Sequence, residues 1–215
     1  MQPGQGILAI CHDLSAEADL GFYEDWYVDQ HLPERLGCPG WREARRYEVV
    51  GEGPRWFTFY VADNPSAFAT AAYRARLDDP TDETRRVMPW FRNMSRTVAQ
   101  VAVSTGDGMG GSVLLATSSG DIGPSGLWPD LVRSFAEPAV VLSAHLWLAA
   151  PVAPMPKTVE ASFRRGADAS MAAAVLIEAT RMEALADLAA RARSALGPRV
   201  SLARYRFLNR RLADG

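Results

Sequence analysis

Hydrophobic and polar positions change period several times along the first half of the chain. Gly6 to His12 is a short apolar run that predicts a buried strand. Ser15 is a good N-cap, and from Ala16 to about Leu32 the apolar residues return at helical spacing, with Leu20, Tyr23, Tyr27 and His31 on one stripe. Gly40 breaks the chain. Trp41 to Val50 alternates as a strand does, and Arg55 to Ala62 is the densest run of β-formers in the sequence. Gly51-Glu52-Gly53-Pro54 between them predicts a hairpin. Asn64 and Pro65 open a second helix to about Leu77, Pro80 and Thr81 open a further short helical segment up to Met88, and a strand is expected from about Thr97 to Ser104.

Thr105 to Gly111 reads as a flexible linker, after which the pattern recurs more loosely. Strands are expected at Ser112 to Ser118, Ala139 to Ala149, Ala172 to Thr180 and Arg199 to Leu208. Helices are expected at Leu127 to Ala136 and Met182 to Leu196, with a loop from about Ala150 to Ala169. The order β-α-β-β-α-β thus occurs twice, which predicts an α+β chain of two tandem ferredoxin-like repeats: 1–105, a linker at 106–111, and 112–215. A lone sheet of this kind leaves one face uncovered. Burying it against the second sheet would close an intrachain pseudo-dimeric α/β barrel.

Composition narrows the function. The 215 residues are 48% hydrophobic and 22% charged, with a net charge of -2, as in ordinary globular proteins. No field attracts nucleic acid, no apolar stretch is long enough for a membrane span, and the first residues lack a signal-peptide pattern. Cys11 and Cys38, without a CxxC partner, suit free thiols in a reducing cytoplasm. Three histidines do not make up a zinc or iron ligand set, and the His31/Glu34 pair is weakened by Pro33, so no metal and no cofactor are expected. Haem, which needs a single axial ligand, leaves His31 and His145 open as candidates.

Chemistry concentrates in Trp26-Tyr27-Val28-Asp29-Gln30-His31-Leu32-Pro33-Glu34-Arg35. Leu32 precedes a proline, so the helix is expected to stop or kink at His31. An imidazole in a last turn feels the negative end of the helix dipole, which would hold its pKa near neutrality. His31 is then either a carbonyl cap or a general acid or base. Arg46 and Tyr47 occupy opposite strand faces, so only one can serve a given pocket: Arg46 would bind a carboxylate or enolate oxygen, Tyr47 would donate a phenolic hydrogen bond.

Trp26-Tyr27, His31 to Arg35, Pro39-Gly40, Ala44 to Tyr47, the strand through Tyr60, Ala72-Tyr73, Pro80-Thr81 and Met88-Pro89 resemble the dimeric α/β-barrel superfamily, and within it the EthD-like members. The resemblance covers roughly residues 6 to 104; the second half lacks the histidine and the proline-glutamate step, which points to one site per chain. It implies a pocket between helices and sheet, with His31 and His12 as the catalytic pair and Tyr27, Trp26, Arg46, Tyr47 and Tyr60 binding a small hydrophobic or aromatic ligand. The expected activity is a cofactor-independent isomerase, cyclase or monooxygenase acting by acid-base chemistry on a carbonyl compound. The alternatives are a non-catalytic small-molecule binding or accessory protein, and a purely structural role for the aromatics. Pseudo-dimers could associate further as homo-oligomers.

Overall fold

Eight antiparallel strands close into a single barrel in the order β1-β3-β2-β8-β5-β7-β6-β4. This computed structural model describes residues 1–120, 127–135, 140–152 and 157–214. The first half contributes β1 (Gly6–Leu14), β2 (Trp41–Val49), β3 (Trp56–Ala62) and β4 (Phe91–Gly106). The second contributes β5 (Ser112–Ser118), β6 (Val141–Ala149), β7 (Ala173–Ala179) and β8 (Ser201–Leu212). The halves join at two seams, β2 with β8 (Ala44 opposite Arg211) and β4 with β6 (Gln100 opposite Leu148). On the outside lie α1 (Leu20–Asp25), α2 (Leu32–Leu36), α3 (Ala71–Asp78), α4 (Asp82–Val87), α5 (Leu127–Arg133), α6 (Val159–Ser162) and α7 (Ala184–Leu196).

Alternation along each strand divides the core into three. Ile7, Ala9, Tyr47, Phe57, Phe59 and Trp147 point into the lumen, where their rings pack on one another. The intervening Leu8, Ala44, Trp56 and Tyr60 face the helices of the first half. Leu114, Ala144, Val175 and Ile177 do the same in the second. The lumen also holds a buried charge cluster. Arg45 donates to Glu43 at 2.7 Å and to Glu178 of β7 at 2.8 Å, and Glu178 also accepts from the Gly110 amide at 2.9 Å.

Three expectations are corrected here. The first helix begins at Leu20 rather than Ala16, because the Asp19 carboxylate, not Ser15, accepts from the Phe22 amide. It also leaves Leu20 exposed rather than on the buried stripe. β4 begins at Phe91, well before Thr97; a register shift in β1 between Cys11 and Asp13 and the left-handed Asn93 blur the alternation there. Within the glycine stretch the backbone passes close to its neighbours: a Cβ at Gly110 would lie 2.5 Å from the Ala179 carbonyl oxygen, and one at Gly106 2.1 Å from that of Leu142. The expected helix end at Ala136 and strand start at Ala139 lie outside the described residues.

Arg45 bridges the halves from inside the barrel, and its removal strands a buried carboxylate. Glu43 would keep Arg210, but Glu178 would keep no guanidinium partner among the described residues. Arg45→Met is expected to destabilise the chain by about 3–5 kcal/mol in urea unfolding at neutral pH. A loss below ~1 kcal/mol would show that the cluster does not lock the halves.

Candidate functional site

The helix carrying the aromatic-histidine stretch does not stop at His31. After α1 it widens into a π-helical turn over Trp26–His31, with the Leu32 amide bonding the Tyr27 carbonyl, and continues through Pro33 into α2. Leu32 stays helical at φ -63 and ψ -49. The wide turn shifts the hydrogen-bond ladder by one residue, so Pro33 sits where a first-turn proline is tolerated. His31 is therefore mid-helix, and the expected pull of a helix end on its proton is absent. Burial, then Arg35, Arg46 and His12, hold its pKa well below the ordinary 6.5.

His31 lines a cavity of about 170 Å³ between the helices and the outer face of β1, β3 and β4. Tyr27, Arg35, Tyr60, Tyr73 and Arg96 share its wall. Its roof comes from the second half: Lys157, Thr158, Glu160, Ala161, Arg164 and Asp168, around α6, lie over it. Arg35 and Glu160, both buried, form an ion pair that fastens this roof to α2. Tyr27 donates to Thr58 Oγ1 at 3.2 Å, and Arg96 donates to the Tyr73 hydroxyl at 3.2 Å.

Four side chains of the wall and roof keep a buried polar atom without a hydrogen-bond partner: His31 Nδ1, Arg35 Nη1, Tyr60 Oη and Arg164 Nε. Buried polar groups are rarely left so, since each costs on the order of 1–3 kcal/mol. Together they offer cationic and phenolic donors beside a neutral imidazole. That arrangement can hold an oxygen bearing developing negative charge and accept a proton nearby.

The residues expected to form the site are divided by the structure. His31, Tyr27 and Tyr60 line the cavity, and Trp26 backs the imidazole with ring centroids 4.4 Å apart. His12 does not line it. Its Nε2 shares a 2.9 Å hydrogen bond with the Tyr23 hydroxyl, and burial, then Arg46 and Arg164, lower its pKa well below 6.5. Arg46 lies 3.9 Å over the Tyr27 ring and pairs with Glu24 at 2.7 Å, behind the wall. Tyr47 points into the lumen. Arg35 stands in the conspicuous stretch with nothing in the pattern to single it out, and Glu160 and Arg164 sit in an apparent loop. The only local sign of order there is Thr158, whose hydroxyl caps α6.

The fold and this helix-to-sheet cavity define the chain as one with a dimeric α/β-barrel fold. It is similar to an anthrone oxidase-like protein (9% identity, TM-score 0.58, covering 100% of this chain and 95% of that one). It is also similar to a candidate monooxygenase from Fusobacterium nucleatum subsp. nucleatum (10%, TM-score 0.58, 100% and 97%). A haem-binding protein from Thermus thermophilus shares the fold as well (12%, TM-score 0.54, 97% and 92%). At such identities the likeness concerns the fold. No family model matches the chain, and no curated protein matches it by sequence.

Haem does not fit the histidines available. The cavity beside His31, at about 170 Å³, falls short of even a drug-sized site, roughly 300–1,000 Å³. His145 is buried in the lumen, bonded through Nδ1 to Ser104 and facing Glu178, with burial lowering its pKa to about 3. Among the described residues no group of three His, Cys, Asp or Glu could hold a metal ion, and no helix is long and apolar enough to cross a membrane.

A buried histidine whose folded pKa is depressed resists protonation, while the unfolded chain takes the proton near pH 6.5. Stability is thus lost as pH falls below that value. Each such histidine contributes up to about 1.4 kcal/mol per pH unit. Replacing His31 by Gln is expected to reduce the slope of unfolding free energy between pH 5.5 and 4.5 by nearly that amount. An unchanged slope would mean that His31 is not held neutral.

Proposed function

We propose that the chain is an EthD-like protein built of two ferredoxin-like units, and that its helix-side cavity is a proton-transfer site for a small carbonyl or phenolic compound. The strand orders β4-β1-β3-β2 and β8-β5-β7-β6 support the two-unit reading. The observation that carries the functional reading is the convergence on one cavity of an unpartnered imidazole nitrogen, guanidinium nitrogen and phenol. Neutral His31 takes a proton from a carbon next to a carbonyl, or from a phenolic hydroxyl. The electron pair moves onto the ligand oxygen, where Arg35 and Tyr60 stabilise it by hydrogen bonding. Return of the proton to a different carbon makes the net change an isomerisation. The depressed basicity of His31 reflects burial first and then the nearby guanidinium charges, and an anionic intermediate between those charges offsets their part of it.

Solvent exchange tests this directly. A panel of small enolisable ketones and phenols in D2O, followed by NMR, is expected to contain a compound whose α-carbon or ring position gains deuterium under catalysis. His31→Ala should slow that exchange by about 10²–10⁴-fold, while Tyr60→Phe should slow it less. Binding of a panel compound with no exchange above the uncatalysed rate would identify a receptor rather than an enzyme. Exchange unaffected by His31→Ala would remove the imidazole from the mechanism.

A further inference from the structure

The lumen is filled only part of the way. Tyr47, Phe59 and Trp147 plug its middle, but at one end a cavity of about 380 Å³ remains, entered past the Gly53-Pro54 hairpin and lined by Ala9, Cys11, Phe57, Leu115, Met171 and Tyr205, among others. It lies on the opposite face of β1 from the His31 cavity, since Leu8 and Ile10 border one and Ala9 and Cys11 the other.

Its chemistry is different too. Among the described residues of its lining the only ionised side chain is the exposed Arg199 at the rim. Burial pushes the Cys11 thiol up to about 12 and raises the Tyr205 phenol, so both stay uncharged. Tyr205 is fully buried, and its hydroxyl has no hydrogen-bond partner; the neighbouring thiol is a weak acceptor that does not satisfy it. Its ring lies 5.2 Å from that of Phe57, so an aromatic floor and a lone donor face the same space.

We infer that this end of the barrel is a second ligand site, distinct from the His31 cavity, for a neutral, flat, largely apolar molecule carrying one hydrogen-bond acceptor. The Tyr205 hydroxyl donates to that acceptor, and the Phe57 ring and Met171 hold the flat face. A bicyclic aromatic ketone has the required size and polarity, whereas a carboxylate would lose hydration without gaining a buried cation.

The probe is 1-tetralone, titrated calorimetrically into the intact chain. Saturable binding at one equivalent is expected. Tyr205→Phe, which removes only the donor, should weaken binding about tenfold, and Thr117→Phe, which fills the mouth from β5, should abolish it. Thermal unfolding of each variant establishes that it is folded, with Ser201→Leu as the alternative block if Thr117→Phe is not. Absence of saturable binding overturns the site. Binding that ignores both the missing hydroxyl and the blocked mouth places the probe elsewhere and overturns it equally.

Discussion

Closing eight strands on themselves forces every strand residue to choose between two interiors. An inward side chain must share the lumen with residues from the opposite wall, and an outward one must be covered by a helix or left to water. Everything distinctive in this protein follows from that division. Tyr47 and Arg46 are adjacent in sequence yet belong to different environments, one among lumen aromatics, the other above Tyr27. The same division makes β1 a shared wall with a charged cavity on one side and a neutral one on the other.

Charge follows the same division. Arg35, Arg45 and Arg46 are all buried, and each is matched to at least one carboxylate. Arg45 and Arg35 both find partners in the second half, in the lumen and at the roof respectively. A buried ion pair contributes little net stability, because desolvation offsets attraction. What such pairs do well is penalise wrong arrangements: a slipped seam would leave charges buried without partners.

Strands were legible where β-formers were dense and turns bounded the run. Ser112–Ser118 and Trp56–Ala62 match the reading within a residue, because both are rich in β-formers and bounded by turns. Local rules misled where residues distant in sequence compensated for them. Pro33 signalled a helix end, but a π turn with Trp26, Tyr27 and His31 buried precedes it, and the helix runs on through it. In the site, the aromatics and His31 were visible because they cluster along the chain. The roof was not, since Arg35 and Glu160 are 125 positions apart and neither stands out alone.

The roof over His31 has one more implication. In a barrel assembled from separate subunits, any such covering segment would be borrowed from a partner and surrendered on dilution. Here Glu160 and Arg35 belong to one chain, so the covering segment is present at the high effective concentration of an intramolecular contact. The covering segment is therefore held over His31 at any protein concentration, because its tether is covalent.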